Sequence, residues 1–393
     1  MQLPDLRNFD LKDKRVLVRV DFDVPLRLVD SASEQALRLV DSASEQALRL
    51  VDSASEQALR LVDSASEQAL RQASERALRL SKDLQGNLQV TDSTRIENAL
   101  PTINYLLSQK VKIILLSHIG RPEGKVVPDL SLEPVARKLQ EFLPLINIRL
   151  QMIDDKWQME NGEVTLVENL RFNPGEEGND LEFSKKLASL GEFYVNDAFA
   201  VSHRKHSSIV GIPKFLPHAA GLRLIQEIEI LSGILEKPKK PVIVVLGGAK
   251  EDKLYYLEPF LKFADKILVG GRLPKFVKTK DERVVIAVLT SDEKDISGES
   301  ISLFETEIEK AGTIILAGPM GKFEDEGSRE GTKRIIQAVS DSSAYKLAGG
   351  GETEEAITQF GENNKFDWIS SGGGAMLDFL ADGDLPGLGV LHR

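Results

Sequence analysis

The sequence contains no cysteine, no long apolar run and no excess of positive charge, and each absence excludes a class of protein. Without cysteine the 393-residue chain forms neither disulfides nor zinc–thiolate sites, and it has no thiol nucleophile. No apolar run approaches the ~18 residues that span a membrane, and the segment MQLPDLRNFDLKDKR has no apolar signal core. A net charge of −11 argues against general affinity for nucleic acid. We therefore expect a cytoplasmic protein that binds neither membrane nor nucleic acid.

Two common nucleotide-binding motifs are also missing. No G-x-x-x-x-G-K-[ST] sequence occurs, which excludes a P-loop. No G-x-G-x-x-G follows the first predicted strand, which weakens the case for a nicotinamide cofactor. A nicotinamide-dependent dehydrogenase on a similar fold is kept as a minor alternative.

The most conspicuous feature that is present is an internal repeat. The eleven residues RLVDSASEQAL occur four times between Arg27 and Leu70, and a decayed fifth copy ends at Leu80. Neither glycine nor proline occurs from Arg27 to Gln85. Eleven residues over three turns is about 3.67 residues per turn, close to the α-helical period. The pattern predicts that Arg27–Leu80 is helical, either as one long helix or as a hairpin.

The remainder of the sequence alternates short β-branched runs with helical segments. Near-continuous apolar strands separated by helices are typical of parallel sheets that are covered on both faces. Ten such strands are too many for one sheet, so we expect two doubly wound domains, linked by the helical stretch Gly221–Leu235. The predicted strands are Val16–Val20, Lys112–Ser117, Val164–Glu168, Phe193–Asp197, Val242–Gly247, Lys266–Gly271, Val284–Leu289, Thr313–Gly318, Tyr345–Gly349 and Asp367–Ser371.

The carboxyl ends of these strands, where open α/β sheets bind ligands, carry two kinds of residue. In the first half they carry charge, in VDFD, SHIGR and ENLRF, and guanidinium groups suit a small molecule with phosphate and carboxylate groups. In the second half they carry glycine, in LGGAK, VGGR, AGPMGK, AGGGE and SSGGGA, which lets the backbone approach phosphates at helix N-termini. A single arginine at such a strand end more often forms a surface ion pair, and a single pair of glycines more often makes a tight turn. Together they predict phosphoryl transfer across a cleft between an anion-binding domain and a nucleotide-binding domain.

The sequence outside the repeat resembles the phosphoglycerate kinase family. Nine family motifs occur in the family's order: RVLVRVDFDVPL, TRIENALPTI, SHIGRP, LVENLRFNPGEE, YVNDAFAVSHRKHSS, LGGAK, GPMGKFE, GGGET and SSGGGAMLDFLADGDLPG.

The resemblance implies the fold and the domains. It implies an α/β fold of two Rossmann-like parallel-sheet domains facing a cleft, with the repeat as an all-helical insertion in the N-terminal domain. Residues 1–220 would bind 3-phosphoglycerate, residues 221–378 would bind the nucleotide, and the tail 379–393 would return to the first domain.

The resemblance also implies an activity, that of a phosphotransferase with a carboxyl group as acceptor. The reaction is the reversible conversion of 1,3-bisphosphoglycerate and ADP to 3-phosphoglycerate and ATP, a step of glycolysis, with magnesium.

Site residues follow from the matching motifs. Those implied to bind 3-phosphoglycerate are Asp21, Asp23, Arg95, His118, Arg121, Arg171 and Arg204. Those implied to bind the nucleotide are Gly248, Lys250, Lys253, Gly318, Pro319, Glu324, Gly350, Gly351, Glu352, Thr353, Gly372, Gly373 and Gly374. Among all these, the residues implied to act on the transferring phosphate are Lys250, Arg95, Gly350 and Gly373, and Glu352 is implied to hold magnesium with the nucleotide oxygens.

Several positions depart from the family pattern. Asp23 stands where the family has asparagine, and an extra carboxylate beside an anionic substrate should weaken binding. The spacing from Lys250 to Lys253 is one residue short, Ala317 replaces an asparagine, and Glu352 replaces an aspartate. The segment from residue 283 to 300 is abbreviated. Because most departures lie in the nucleotide half, a catalytically weak homologue that acts in assembly through the repeat remains an alternative.

The repeat itself is interpreted as an insertion of 54 residues into a surface turn. Loop closure entropy grows only logarithmically with length, so such an insertion is tolerated. Asp21, Asp23 and Arg95 should share one site, so the two flanks must lie close together. We therefore predict a helical hairpin or bundle, with its break near Asp52–Ser55, where aspartate and serine compete with the helical backbone. The expected state is a monomer, with self-association through the repeat as the alternative.

Overall fold

A computed structural model describes residues 3–28, 88–154 and 163–392 of the chain. It divides into two compact units, Leu11–Glu192 and Met1–Asp10 with Phe193–Arg393. No helix within the described ranges is both long and apolar enough to cross a bilayer.

The regular elements alternate along the chain as the sequence predicted. The strands are β1 (Arg15–Arg19), β2 (Leu26–Leu28), β3 (Leu88–Val90), β4 (Lys112–Leu116), β5 (Ile148–Gln151), β6 (Val164–Val167), β7 (Phe193–Asn196), β8 (His218–Ala220), β9 (Val242–Leu246), β10 (Lys266–Val269), β11 (Val284–Ile286), β12 (Thr313–Ala317), β13 (Tyr345–Gly349) and β14 (Trp368–Ser370). The helices are α1 (Thr94–Ser108), α2 (Glu133–Phe142), α3 (Pro174–Glu177), α4 (Leu181–Ser189), α5 (Leu222–Glu236), α6 (Leu257–Phe260), α7 (Gly298–Glu309), α8 (Glu330–Asp341), α9 (Gly351–Gln359), α10 (Gly373–Asp382) and α11 (Pro386–Gly389).

The first sheet has six parallel strands in the order β5-β6-β4-β1-β7-β8. Strands β4 and β6 are apolar along almost their whole length, and their buried residues form the middle of the unit Leu11–Glu192. The sequence missed β5 and β8. Strand β5 carries the polar side chains Arg149 and Gln151 and is only partly buried, and β8 has just three residues, so neither produces an apolar run.

The second sheet has six parallel strands in the order β11-β10-β9-β12-β13-β14. This order places the first strand of the domain, β9, in the middle, and the chain reverses its direction of winding between β9 and β12. In such sheets the ligand binds beyond the carboxyl ends of the strands at that point. Phe304 of α7 and Ile335 of α8 pack with Ile314 of β12 in the core of this domain. The predicted architecture of two parallel α/β sheets is confirmed.

The chain around the repeat forms a short antiparallel pair of strands. Leu26 pairs with Val90, Arg27 with Gln89, and Leu28 with Leu88. The prediction of a helix from Arg27 is therefore wrong for Arg27 and Leu28, because cross-strand pairing with the returning segment outweighs local helix propensity. The prediction that the flanks lie close together is confirmed. The rest of the predicted helical segment, residues 29–80, lies outside the described residues.

The last residues of the chain pack on the segment that follows β7. The backbone N–H of Gly387, in α11, donates to the carbonyl oxygen of Ser202 at 2.8 Å. The Asn196 side chain reaches the Gly387 carbonyl oxygen at 3.5 Å and the Ser202 hydroxyl at 3.1 Å. The C-terminal residues thus help to hold the segment that carries Arg204.

Candidate functional site

Three neighbouring strands of the second sheet, β9, β12 and β13, end in glycines with unusual backbone angles. Gly248, Gly318 and Gly350 have φ angles of +110°, +110° and +111°. A Cβ atom on Gly318 would lie 2.2 Å from the Gly247 carbonyl oxygen, so only glycine lets the ends of β9 and β12 approach this closely. The three strand ends therefore contribute backbone, and no side chains of their own, at the point where the sheet reverses its winding.

A cavity of about 390 Å³ opens at this edge. It is lined by the predicted nucleotide-site residues Gly248, Pro319, Glu324 and Glu352, and also by Arg272, which the sequence did not single out. Cavities of roughly 300–1,000 Å³ are typical of small-molecule and cofactor sites. The structure thus brings together the glycine-rich strand ends and the two predicted carboxylates, both exposed, in a cavity of suitable size.

Thr353 ties two of these strand ends together. Its hydroxyl oxygen accepts a hydrogen bond from the Gly318 backbone N–H at 2.8 Å and donates to the Gly349 carbonyl oxygen at 3.0 Å. Thr353 is buried in the first turn of α9, next to the exposed Glu352. The same turn therefore sets the separation of β12 from β13 and presents a carboxylate to the cavity.

Lys253 lies at the strand ends, whereas Lys250 is exposed. The Lys253 ammonium donates to the carbonyl oxygen of Gly247 at 2.8 Å and is 3.4 Å from that of Ala317. Burial lowers the pKa of Lys253, and the Glu352 carboxylate opposes that shift. The shortened spacing therefore still brings Lys253 to the ends of β9 and β12.

The glycine turn after β14 lies against the segment that carries Arg204. A Cβ atom on Gly372 would lie 2.4 Å from the Ala200 Cα atom, so the two backbones are in direct contact. Next to Gly372, Gly373 packs against Gly350, and Gly374 faces the His203 imidazole. The turn therefore adjoins both the strand ends of the second sheet and the Arg204 segment.

In the unit Leu11–Glu192, charged side chains gather at the ends of β1 and β4. The Asp21 carboxylate, almost fully buried, binds the Arg95 guanidinium of α1 at 2.5 Å. One Asp23 oxygen accepts the Gly120 backbone N–H at 2.8 Å, and the other is 3.9 Å from His118 Nε2. Each carboxylate thus lies beside a cationic or imidazole group from a neighbouring element.

Arg19 is a member of this cluster that sequence reasoning missed. It is fully buried, and its guanidinium Nη2 is 3.1 Å from His118 Nδ1. Because a guanidinium only donates, Nδ1 accepts, and the ring proton of a neutral His118 is on Nε2, which faces Asp23. An arginine between Val18 and Val20, within the apolar run that follows Arg15, is the signal that would have revealed it, since buried charges are rare without a partner.

Arg171 belongs to the same cluster. Its Nη1 donates to the Gly120 carbonyl oxygen at 2.7 Å, and its Nε is 3.2 Å from a Glu177 carboxylate oxygen. Burial lowers the pKa of Arg171, and the Glu177 carboxylate opposes that shift. Gly120 therefore connects Asp23 with Arg171, whereas Arg121 is exposed beside it. The remaining predicted anion ligand, Arg204, is also exposed and belongs to the other unit.

A cationic cluster at one set of strand ends and a cavity at glycine-rich strand ends of a second sheet define a phosphotransferase of the kinase class. The model of one protein family, phosphoglycerate kinase, matches residues 80–294 and 275–383, and the chain belongs to this family.

Individual family members align over three quarters of the chain or more. The sequence is 35% identical over 448 aligned residues to the phosphoglycerate kinase of Dictyoglomus turgidum, covering 99% of this chain and 98% of the relative. It is 36% identical over 364 residues to that of Finegoldia magna, and the alignment covers 77% of this chain and 92% of the relative.

Solved structures share the fold. The phosphoglycerate kinase of Coxiella burnetii has a TM-score of 0.71 at 28% identity, and the superposition covers 100% of this chain and 99% of the other. That of Pyrococcus horikoshii has a TM-score of 0.73 at 25% identity, and the superposition covers 99% of this chain and 98% of the other.

Proposed function

We propose that the chain transfers a phosphoryl group reversibly between ATP and the carboxylate of 3-phosphoglycerate, producing ADP and 1,3-bisphosphoglycerate, in cytoplasmic glycolysis. Family membership supports the reaction class. The observation that carries the proposal is the contact of Gly372 with Ala200. It sets a glycine turn suited to nucleotide phosphates directly against the segment of Arg204, a cation suited to the acceptor.

The acceptor is bound, in this proposal, by Arg95, Arg121, Arg171, Arg204 and His118. Guanidinium groups form paired, charge-assisted hydrogen bonds with phosphate and carboxylate oxygens. Asp21 supports this by orienting Arg95 through their ion pair at 2.5 Å. The same set would bind both anionic groups of the acceptor, its phosphate and its carboxylate.

The nucleotide occupies the cavity at the ends of β9, β12 and β13. Backbone N–H groups at the starts of α9 and α10, including those near Gly351 and Gly374, would hold its phosphates, and Glu324 would accept from its ribose hydroxyls. The residues suited to contact the transferring group are Arg95, Gly350, Gly373 and either Lys250 or Lys253. A carboxylate is already a competent nucleophile, so these groups act by positioning and by stabilising charge, and a general base is unnecessary.

Magnesium fits this site only together with the nucleotide. Within the part of the chain that the structure describes, no group of three or more histidine, aspartate or glutamate side chains could hold a metal ion. Mg²⁺ in kinase sites is typically bound through one or two carboxylates and the substrate phosphates. Glu352, which lines the cavity, would hold it with the nucleotide oxygens. When bound, the ion would neutralise charge on the phosphates.

The repeat is proposed to be an insertion into the first of two domains, 1–220 and 221–378, with the tail 379–393 returning to the first. The pairing of Leu28 with Leu88 supports this, because the chain leaves and re-enters the fold at adjacent positions. We propose that the protein works as a monomer and that the repeat takes no part in the chemistry.

A coupled assay of ATP consumption with 3-phosphoglycerate and magnesium tests the function. We expect saturable turnover on the order of 1–100 s⁻¹, as for other kinases. Reactions without 3-phosphoglycerate, or with excess chelator, are the controls and should show no turnover. Absence of turnover in protein that still binds 3-phosphoglycerate by calorimetry would refute the proposal and support a catalytically weak homologue.

A further inference from the structure

We propose that Arg223 and Glu227 of helix α5 are positioning residues that hold Ser371 and thereby orient the glycine turn Gly372–Gly374. This inference rests on the proposed function of that turn in binding nucleotide phosphates. Neither residue lines the cavity at the ends of β9, β12 and β13. They would act on the reaction only through the turn.

The Glu227 carboxylate is the centre of the arrangement. It has no solvent exposure, and its two oxygens accept hydrogen bonds from two residues of the segment that ends in the turn. Oε1 accepts the Ser371 backbone N–H at 2.9 Å and the Ser371 hydroxyl at 2.8 Å, and Oε2 accepts the Trp368 indole N–H at 2.9 Å. A buried carboxylate with this many donors fixes both the backbone and the side chain of Ser371.

Arg223 supplies the charge that Glu227 needs. One helical turn earlier on α5, its Nη2 donates to Glu227 Oε1 at 3.0 Å. Its guanidinium also lies over the Trp368 ring, 4.2 Å from the ring centroid, in the geometry of a cation–π contact. A buried carboxylate without a counter-ion is strongly disfavoured, so the pair depends on this arginine. Arg223 therefore contacts both Glu227 and Trp368, and it closes the cluster.

The start of α5 is itself fixed in place. An Asp197 carboxylate oxygen accepts the backbone N–H groups of Arg223 at 2.9 Å and Leu224 at 3.1 Å. This cap determines where the helix begins and thus where the Arg223 side chain originates. Rigid contacts therefore run from the end of β7, through α5, to the residue that precedes Gly372.

The consequence for the reaction is geometric. Ser371 immediately precedes the turn, and α10 begins at Gly373. A displacement of about 1 Å in a group that contacts the reacting centre can cost on the order of 10²-fold in rate. Loss of Arg223 should therefore reduce turnover, while affinity for 3-phosphoglycerate should change little, because none of its proposed ligands is a member of this cluster.

The two tryptophans of the chain make the test direct. Trp157→Phe leaves Trp368 as the only indole, so its emission reports the contact without any assay of activity. In that background we compare Arg223→Leu, which removes the charge, with Arg223→Lys, which restores it. The control is Arg334→Leu, which removes a shorter but more exposed Arg–Glu pair, Arg334 with Glu305, between α8 and α7.

We expect Arg223→Leu to shift the Trp368 emission maximum and to lower kcat by roughly 10–100-fold. KM for 3-phosphoglycerate should stay within about 2-fold, and Arg223→Lys should recover most of the lost turnover, since ion pairing with Glu227 remains available. Arg334→Leu should change neither the emission nor kcat by more than about 2-fold. This pattern separates positioning from a general loss of stability.

Two results would overturn the inference. The first is an unchanged Trp368 emission in Arg223→Leu, and the second is a loss of kcat in Arg223→Leu no larger than the loss in Arg334→Leu. If Arg223→Leu does not fold, Ser371→Ala removes one of the donors to Glu227, and a kcat unchanged in that variant also overturns the inference.

If the parent protein has no kinase activity, the proposed function fails on its own. Binding of MgADP by calorimetry then decides the inference. A loss of affinity of about 10-fold or more in Arg223→Leu supports it, and unchanged affinity overturns it.

Discussion

Replacing Lys253 by methionine should abolish most of the turnover while leaving the fold intact. Methionine keeps an unbranched chain of similar length but removes the ammonium group that lies at the ends of β9 and β12. In the structure this group donates to the Gly247 carbonyl oxygen at 2.8 Å and lies 3.4 Å from that of Ala317. It is therefore held at the strand ends where the phosphates of the nucleotide are proposed to bind.

The expected magnitude follows from the role of such a donor. Removing one preorganised donor from a transition state typically costs about 10²–10³-fold in kcat, or roughly 2.7–4 kcal/mol. We expect a loss of this size at saturating concentrations of both substrates. Affinity for 3-phosphoglycerate should be nearly unchanged, because Lys253 belongs to the nucleotide side of the site.

Stability should behave differently from turnover. Burial lowers the pKa of Lys253 from the ordinary value of 10.5, so the folded chain binds this proton less tightly than the unfolded chain does. At neutral pH the buried ammonium therefore weakens the fold instead of stabilising it. The substitution also removes hydrogen bonds to backbone carbonyls, which acts in the opposite direction. We expect the Tm of Lys253→Met to stay within about 4 °C of the parent.

Lys250→Met is the matched control, because Lys250 lies three residues earlier but is exposed. The coupled assay and a thermal melt are run on both variants. A larger loss of kcat in Lys250→Met than in Lys253→Met would refute the geometric argument and favour the motif-based assignment to Lys250. A Lys253→Met kcat within about 10-fold of the parent would refute a transition-state role for Lys253 altogether.

Three further predictions concern other parts of the chain. Arg171→Ala should weaken 3-phosphoglycerate binding by 10-fold or more, since it removes a charge-assisted contact, and should barely change ATP affinity; equal losses in calorimetry would instead indicate a structural role. Burial lowers the pKa of His203, with the Arg204 charge as a second cause, so stability should fall as the pH drops below the unfolded value of about 6.5. His203→Gln should flatten that part of the Tm–pH curve, and an unaltered curve would contradict the reasoning. Deleting Arg38–Leu70, three whole repeat units, should leave kcat and both KM values within a few-fold, because the β2–β3 pair is retained; loss of activity in a folded deletion variant would implicate the repeat in catalysis.

Much of the fold could be predicted from local sequence because its signals are local. All ten predicted strands are present, and most differences in their bounds fall on a polar residue or glycine at a strand end, such as Gly247, that belongs to the following turn. Apolar β-branched runs can be recognised without knowing what they pack against. The glycines after β9, β12 and β13 were recognised for the same reason, since positive φ angles require them wherever the strands lie.

Only the tertiary structure decided which side chains meet. Lys253 reaches the carbonyl oxygens of Gly247 and Ala317 because β9 and β12 are neighbours, although 64 positions separate Lys253 from Ala317 in sequence. Arg27 and Leu28 are extended because the returning segment pairs with them, against their own helical pattern. Arg223, Glu227 and Trp368 form one cluster although the indole lies 141 positions beyond the carboxylate. Strand order and helix packing set such distances, and their free energy comes from burial and from hydrogen bonds between distant segments, which no local pattern of residues encodes.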